Sequence, residues 1–510
     1  MIVGIDIGTQ SLKAVVVDER MRVLGEAVYS YLPSFPQPGW AEQDPILWEE
    51  GLHSAVAGAL KSAGISPLEV RALGVAGQLD GCLPVGPDGR ALYNCLIWMD
   101  RRAEREVTAL KGIDADTLRQ ITGITMDAGH MAAKIRWFME NHINSKMAAC
   151  FHQPVSYLVA RLTGEHVYDH ALASTSMLYS IEKCEYDSTL LRAFGVNRRQ
   201  IPKIKEAWDK AGELNSPGAA LSGLPEGTTV AVGTGDDYAT PLGAGMIKPG
   251  RMVCILGTAE VVGALDASPK IDPGGLVETH KYFGDTYFIE NPGWLSGGAL
   301  EWFVDTFRLR GVEEMVSLAE DAPAGCEGLI FLPALSGAMA PEWVESARGC
   351  FYGLTPAHGT AHMARAVLEG CALAMRDVFG RLNSMGVPIE SILLLGGGAR
   401  SRLWAQIRAD VSGVPVTVPV RLDTSPIGAA MLAAVAAKIQ PDLESCAKLI
   451  EGDKTGGAGK TTLNPDPVNS GVYEGVYRAY GRLFDSLRPM FTPVLQKPED
   501  FRSCVVKGSR

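Results

Sequence analysis

Three short segments carry side chains of the kind that move a phosphoryl group. The first is Asp6-Ile7-Gly8-Thr9-Gln10-Ser11-Leu12-Lys13. A glycine-bearing turn between strands can aim successive backbone N–H groups at a phosphate, with a hydroxyl and the Lys13 ammonium completing the cradle. Asp6, at the strand end, can hold Mg²⁺ directly or through water. The same residues also read as a tight hairpin with a solvated Asp and Lys. The second segment, Gly233-Thr234-Gly235-Asp236-Asp237, follows the apolar Val230-Ala231-Val232. A carboxylate at a strand end in a glycine-rich turn can reach a cleft unobstructed. There it can orient an alcohol, a poor nucleophile at neutral pH, and accept its proton. The competing reading is an Asx-type turn, which spacing alone favours. The third, Gly396-Gly397-Gly398-Ala399-Arg400-Ser401, lies between a strand and a helix, where backbone can approach a ligand closely. Ser401 stands where the dinucleotide fingerprint needs its third glycine.

Two lookalikes are set aside. Gly459-Lys460-Thr461 resembles the end of a Walker A loop, but Lys454 takes the place of the first glycine and no apolar strand precedes it. His358 and His362 are four residues apart with no accompanying carboxylate, the pattern of satisfied or surface histidines. The ten cysteines are dispersed without a C-x-x-C pair. Reduced thiols in a cytoplasmic enzyme are therefore expected, and no structural zinc.

These segments need a scaffold. A chain of 510 residues is too long for one ordinary core, so two domains are expected. With 46% hydrophobic and 21% charged residues the composition is that of a globular protein. The net charge of −11 argues against a general nucleic-acid binder but leaves ATP open. No signal-peptide pattern and no membrane-spanning apolar run is read from the chain. Ile2–Ile7 and Leu12–Val17 predict a hairpin around Gly8-Thr9-Gln10-Ser11, and Met252–Leu256 with Val261–Leu265 predict a second around Gly257-Thr258-Ala259. Asp44-Pro45 opens a helix with Trp48, Leu52, Val56 and Ala59 on one face, and Thr360–Leu382 predicts a long helix. Ile392–Leu395 reads as a buried strand, and Ser401 caps a helix that stops at Gly413. Gly452–Pro467 reads as an exposed loop. The class is α/β, and Met246–Gly250 is the expected boundary, giving domains 1–246 and 247–485 and a tail 486–510.

Taken together, the segments resemble the FGGY family of carbohydrate kinases within the actin-like ATPase superfamily. The resemblance also rests on Pro38–Pro45, Trp98-Met99-Asp100-Arg101-Arg102, Arg161–Glu165, Phe331-Leu332-Pro333, Arg365–Gly370 and Ala409-Asp410-Val411. It implies two actin-like (ribonuclease H-like) domains with a catalytic cleft between them, and ATP and Mg²⁺ as cofactors. Asp236 would be the catalytic base and Asp6 would serve the metal. Thr9, Gln10, Ser11 and Lys13 would face the ATP phosphates. Gly257 and Thr258 would contact the terminal phosphates from the second domain, with Gly397, Gly398 and Ala399 against the adenosine. Among subfamilies the xylulokinases match best, so a ketopentose such as D-xylulose is the implied substrate. Their Gly-Gln-Met-His-Gly segment stands here as Gly77-Gln78-Leu79-Asp80-Gly81. An ionised Asp80 only accepts hydrogen bonds, whereas histidine also donates. That keeps ribulose, a ketotetrose and a glycerol-like polyol open. Gln78, Leu79, Asp80, Trp98, Asp100, Arg101 and Asp237 would shape the substrate pocket. Family analogy adds a homodimer. A non-catalytic actin-like sugar sensor is the alternative of another class; Asp6, Lys13 and Asp236 and the lack of a helix-turn-helix segment weigh against it.

Overall fold

Each half of the molecule is a mixed sheet built around an antiparallel hairpin with a Gly-Thr tip. The computed structural model describes residues 1–452 and 460–491. The first sheet contains β1 (Ile2–Ile7), β2 (Ser11–Val17), β3 (Val23–Ser30), β4 (Ala72–Gly77), β5 (Lys210–Glu213), β6 (Thr229–Ala231) and β7 (Thr234–Gly235). Its order is β5-β6-β4-β1-β2-β3, with β7 beside β4. β1 pairs antiparallel with β2 and parallel with β4. Every residue of β1 and β4 is buried, as continuous apolar strands require when both faces are covered. Helix α1 (Ile46–Ala63) buries Trp48, Leu52, Val56 and Ala59, the face that its 3.6-residue period predicts. Asp44 accepts the Ile46 N–H at 3.0 Å and so supplies its start.

After helix α2 (Asp236–Gly243) the second sheet begins. It comprises β8 (Gly250–Leu256), β9 (Ala259–Asp266), β10 (Glu278–Lys281), β11 (Tyr287–Leu295), β12 (Ile389–Leu395), β13 (Val416–Val418) and β14 (Thr461–Leu463). Their order is β10-β11-β9-β8-β12-β13-β14. Helices α3 (Gly297–Phe307), α4 (Thr360–Ser384), α5 (Arg402–Ser412) and α6 (Ser425–Ala436) accompany it. Ser401 caps α5 through the Trp404 N–H, and Gly413, at φ 74°, ends it. One expectation is corrected here. The stretch read as loop from Gly452 to Pro467 contains β14, an edge strand on β13 with only Leu463 buried. Two exposed threonines and one apolar residue give too little alternation to announce a strand. Residues 453–459 of that stretch, and 492–510 of the expected tail, lie outside the described residues; the helix Pro467–Leu487 runs into the start of that tail.

The halves meet through more than their linker. α6 leaves the second sheet to lie across β1, β4 and α2. A Cβ added at Gly4 would stand 1.8 Å from the Pro426 carbonyl oxygen, and one at Gly74 1.9 Å from that of Ala429. At the α2–α6 crossing, Gly243 and Gly428 lie just as tightly against Thr424 and Ala239. Backbone touches backbone along this seam, which only glycine permits. An apolar cluster including Ile2, Tyr238, Val253, Leu395 and Met431 fills the space around it.

Candidate active site

The β1–β2 hairpin places Asp6 directly across from Lys13. Asp6 is buried, and its Oδ1 has no hydrogen-bond partner. Burial, then the charge of Asp236, push its carboxyl up to about 7 against the pull of Lys13. The Lys13 ammonium is 2.5 Å from Asp423 Oδ2. Its pKa is raised, since the burial that would lower it is outweighed by the Asp6 and Asp423 charges. The hairpin tip is held from all sides. Thr9 accepts the Gln43 amide at its carbonyl (2.5 Å) and the Trp98 indole N–H at Oγ1 (3.0 Å), and the Tyr31 hydroxyl donates to the Gly8 carbonyl (2.7 Å). The Gln10 side chain is exposed, whereas Ser11 is half-buried and takes the Gly8 N–H on its carbonyl at 2.9 Å.

Asp236 and Asp237 open α2. Gly233 turns the chain at φ 81°, where a Cβ would lie 2.2 Å from the Val75 carbonyl oxygen, so the turn needs glycine. The Thr234 hydroxyl, donating to Asp169 at 2.7 Å, fixes the turn. A helix N-terminus favours an ionised carboxylate. Burial, followed by the neighbouring Asp237 charge, works against it and lifts Asp236 to about 7. Asp237 is lifted to about 6 by burial, then by Asp80 and Asp6. These acids therefore titrate as one group of interacting sites.

The Asp80 end of the cleft is equally charged. Asp80 sits at φ 57° and donates its N–H to Gln153 at 2.9 Å; its carbonyl takes the Lys134 ammonium at 2.8 Å. Its Oδ2 lies 3.2 Å from His130 Nδ1, and its Oδ1 is buried without a partner. The Asp80 charge outweighs burial and raises His130 to about 9, so this imidazole is cationic at neutral pH. Burial and then the Asp237 charge push the Glu290 carboxyl above the usual carboxylate range, and its Oε1 stands 3.4 Å from His280. Gln78 donates to Gln43 at 2.6 Å and keeps a buried Oε1 with no partner. Leu79 packs so closely on Gly235 that a Cβ there would sit 1.9 Å from its Cδ2. Trp98 is half exposed.

Two of the expected pocket residues are otherwise engaged. Asp100 is fully buried, accepting the Ala41 N–H at 2.6 Å and the Arg102 guanidinium at 2.7 Å. It braces the Trp98 segment, and its carboxylate does not reach the cleft. Arg101 forms a bidentate pair with Asp127, with Glu345 of the second half 3.9 Å away.

Across the cleft, the Gly257-Thr258 tip is exposed. The Thr258 carbonyl takes the N–H groups of Ser296 and Gly298 at 3.1 and 3.0 Å, which pins the tip to the start of α3. Gly397 is exposed, and Gly398 lies where a Cβ would clash with the Trp404 ring at 2.7 Å. Ala399 is buried, so it offers a ligand backbone at most. A separate cavity of about 310 Å³ lies at the opposite ends of the strands, near Met21, Arg251 and Ser391, and has no part in this constellation.

Buried carboxylates beside a lysine on one hairpin suit the handling of phosphate and metal, and comparison with known proteins decides the family. The model of the FGGY family of carbohydrate kinases, N-terminal domain, matches residues 1–243, and that of the C-terminal domain matches 252–437. The chain belongs to the FGGY family of carbohydrate kinases. It is 30% identical to a glycerol kinase of Thermococcus onnurineus (94% of this chain, 98% of that protein) and 30% identical to a xylulose kinase of Escherichia coli (96% and 100%). The solved xylulose kinase of Rhodospirillum rubrum superposes with a TM-score of 0.87 at 28% identity, covering 96% of this chain and 99% of its own. The architecture is thus the two-domain, actin-like FGGY kinase fold, and the activity is that of a carbohydrate kinase with an alcohol acceptor. Among the described residues no helix is long and apolar enough to cross a membrane. Sequence reading missed several charged residues gathered around these acids: His130, Lys134, Glu290 and Asp423. Asp423-Thr424-Ser425-Pro426 carries a helix-start signature that could have drawn notice; His130 has no local signal.

Proposed function

We propose that this FGGY kinase transfers the terminal phosphoryl group of ATP to a hydroxyl of a small ketose, with Asp236 as base and D-xylulose as the first acceptor to test. The observation that carries the reading is register: β4 lies between β1 and β7, with Asp6 and Thr234 both paired to Ala76, so the start of α2 at Asp236 emerges beside the Asp6–Lys13 pair. A carboxyl poised near 7 suits a general base. The alcohol would lie between Asp236 and the γ-phosphorus. As the new O–P bond forms, its proton passes to Asp236, while the bond to the bridging oxygen breaks and ADP leaves. Lys13 and the N–H groups around Thr9, Gln10 and Ser11 would meet the growing negative charge from one side, Gly257 and Thr258 from the other. Gly397 and Gly398 would lie along the adenosine. The unpartnered, buried Asp6 oxygen is a hard donor among excess negative charge, which fits Mg²⁺. When bound, that ion would neutralise phosphate charge. Domains 1–246 and 247–485 are the bodies that would close over both substrates and exclude water.

His130 supports a ketose: it supplies beside Asp80 the donor that Asp80 itself lacks. The acceptor-only Asp80 Oδ1 favours a second reading, a linear polyol with a free hydroxyl pair. A coupled ADP-release screen over D-xylulose, D-ribulose, a ketotetrose, glycerol and linear polyols separates them, with the phosphorylated position read by NMR. The proposal expects a sharp rise in ADP with a ketose; a rise with glycerol alone would move the assignment to the second reading. ADP release indifferent to every acceptor would sink both.

A further inference from the structure

In the first half of the molecule, Cys150, His152 and His166 bring a thiol and two imidazoles together. One ligand atom from each lies within 4.8 Å of the other two. Cys150 and His152 are alternate residues of the strand Cys150–His152, so the pleat sends both side chains to one face. His166 stands between the helix Pro154–Thr163 and the strand Val167–Asp169, and is exposed. The Ser156 hydroxyl donates to the Gln153 carbonyl at 3.1 Å and lies 3.0 Å from His152 Nδ1, where it accepts from the tautomer protonated on Nδ1. In that tautomer the Nε2 lone pair points at His166 Nδ1, 2.8 Å away. A hydroxyl behind a histidine, holding its tautomer and ring plane, is how metal-ligating imidazoles are oriented.

We propose that Cys150 Sγ, His152 Nε2 and His166 Nδ1 bind a borderline-soft divalent cation of the Zn²⁺ class, with the fourth position open to water beside His166. Thiolate with two imidazoles selects such ions over Mg²⁺ or Ca²⁺, which take oxygen donors. On binding, the Cys150 S–H gives its proton to solvent as sulfur meets the ion. The hydrogen between the two imidazoles is replaced by the ion, and His166 takes the tautomer protonated on its other nitrogen. Ligand atoms about 2.0–2.3 Å from a tetrahedral ion are separated by more than this imidazole contact, so His166 must shift, which its exposed turn allows. The absence of C-x-x-C spacing hid these ligands, because the third comes from a different element. Gln153, the next residue after His152, is also the one whose Oε1 holds the Asp80 N–H. The ion would thus sit one residue from the brace of the sugar-facing loop; that link, unlike the site, rests on the proposed function.

The test takes the full chain, stripped with a chelator and titrated first with Co²⁺, then with Zn²⁺. One Co²⁺ per chain with a thiolate-to-cobalt charge-transfer band is expected, displaced by Zn²⁺. Cys150→Ser should remove the band, and His166→Ala, at an exposed turn, should weaken binding by more than ~10-fold with the fold intact by circular dichroism. Binding with no thiolate band, or undiminished in His166→Ala, overturns the site. The coupling is read separately: Zn²⁺ should change the KM of the best acceptor in wild type and not in His166→Ala, and an unchanged KM in wild type overturns the link through Gln153.

Discussion

The two Gly-Thr hairpins differ in turn length, with four residues between the last facing pair in the first and three in the second, and they differ more in chemistry. One step in from the turn, the facing residues are Asp6 and Lys13 in the first hairpin but Ile255 and Val261 in the second. The second hairpin does carry an acid, Glu260, yet it is fully buried against Arg408, with Nη2 at 2.7 Å, and takes the Ser296 hydroxyl at 2.7 Å. Its charge is fully matched and holds β9 to α5 and α3. In the first hairpin charge is left unmatched: the Asp6 oxygen has no partner, and Asp236 repels it. A strand hairpin thus becomes a reactive or a structural element through the pairing of one or two side chains. Unsatisfied buried charge marks the reactive one.

Substitutions can break this contrast. The largest effect is expected at Asp236: Asp236→Asn should lower kcat by ~10²–10⁴-fold, the scale of a positioned base, with ATP affinity nearly intact in a binding titration. Wild-type turnover by this variant would remove Asp236 from its role. On the structural side, Glu260→Ala strands Arg408 as an unpaired buried cation. It should cost ~3–5 kcal/mol in denaturant unfolding, while the kcat of the folded fraction survives. A stability loss below ~1 kcal/mol would mean that the pair is not buried as described. Asp6→Asn should do the reverse, abolishing most activity while stabilising the ligand-free protein at high pH. The sign follows from a folded pKa of about 7 against 3.8 for the free group. The folded state holds an extra proton between these values, so Asp6 makes stability fall as pH rises through 7. The Tm difference, variant minus wild type, should therefore grow from pH 5 to pH 8; a flat difference would refute the charge repulsion. The smallest expected change is at the tip. Trp98→Phe removes one hydrogen bond to Thr9, ~1 kcal/mol, and should raise the KM for ATP or acceptor several-fold with little change in kcat.

Much of this was legible because it is local. Apolar runs bounded by Gly-Thr or Gly-Asp announced both hairpins and the α2 entry, and Asp6 and Lys13 face each other as that hairpin reading requires. What sequence could not show is what each carboxylate faces. Asp100 sits in the same short motif as Trp98 and Arg101, yet it turns inward to Arg102 because Ala41, far away in the chain, offers it an N–H. His130 reaches Asp80 from a separate loop, and Asp423 reaches Lys13 from 410 residues further along the chain. Such meetings depend on tertiary placement, which leaves no spacing to read.

The glycine seam where α6 crosses β1, β4 and α2 bears on how this enzyme can move. Carbonyl oxygens resting where a Cβ would lie leave no slack for sliding, so we expect relative motion of the halves to be a rocking about that crossing, as about a fulcrum. The five residue steps from Gly4 to the Thr9 tip span at most ~16 Å at about 3.3 Å each. A tilt of roughly 10° would then carry the tip ~3 Å, enough to make or lose a hydrogen bond to a phosphate. A single methyl group at Gly4 or Gly74 would wedge the hinge and should show as altered opening and closing well before it shows in the chemistry of the acids.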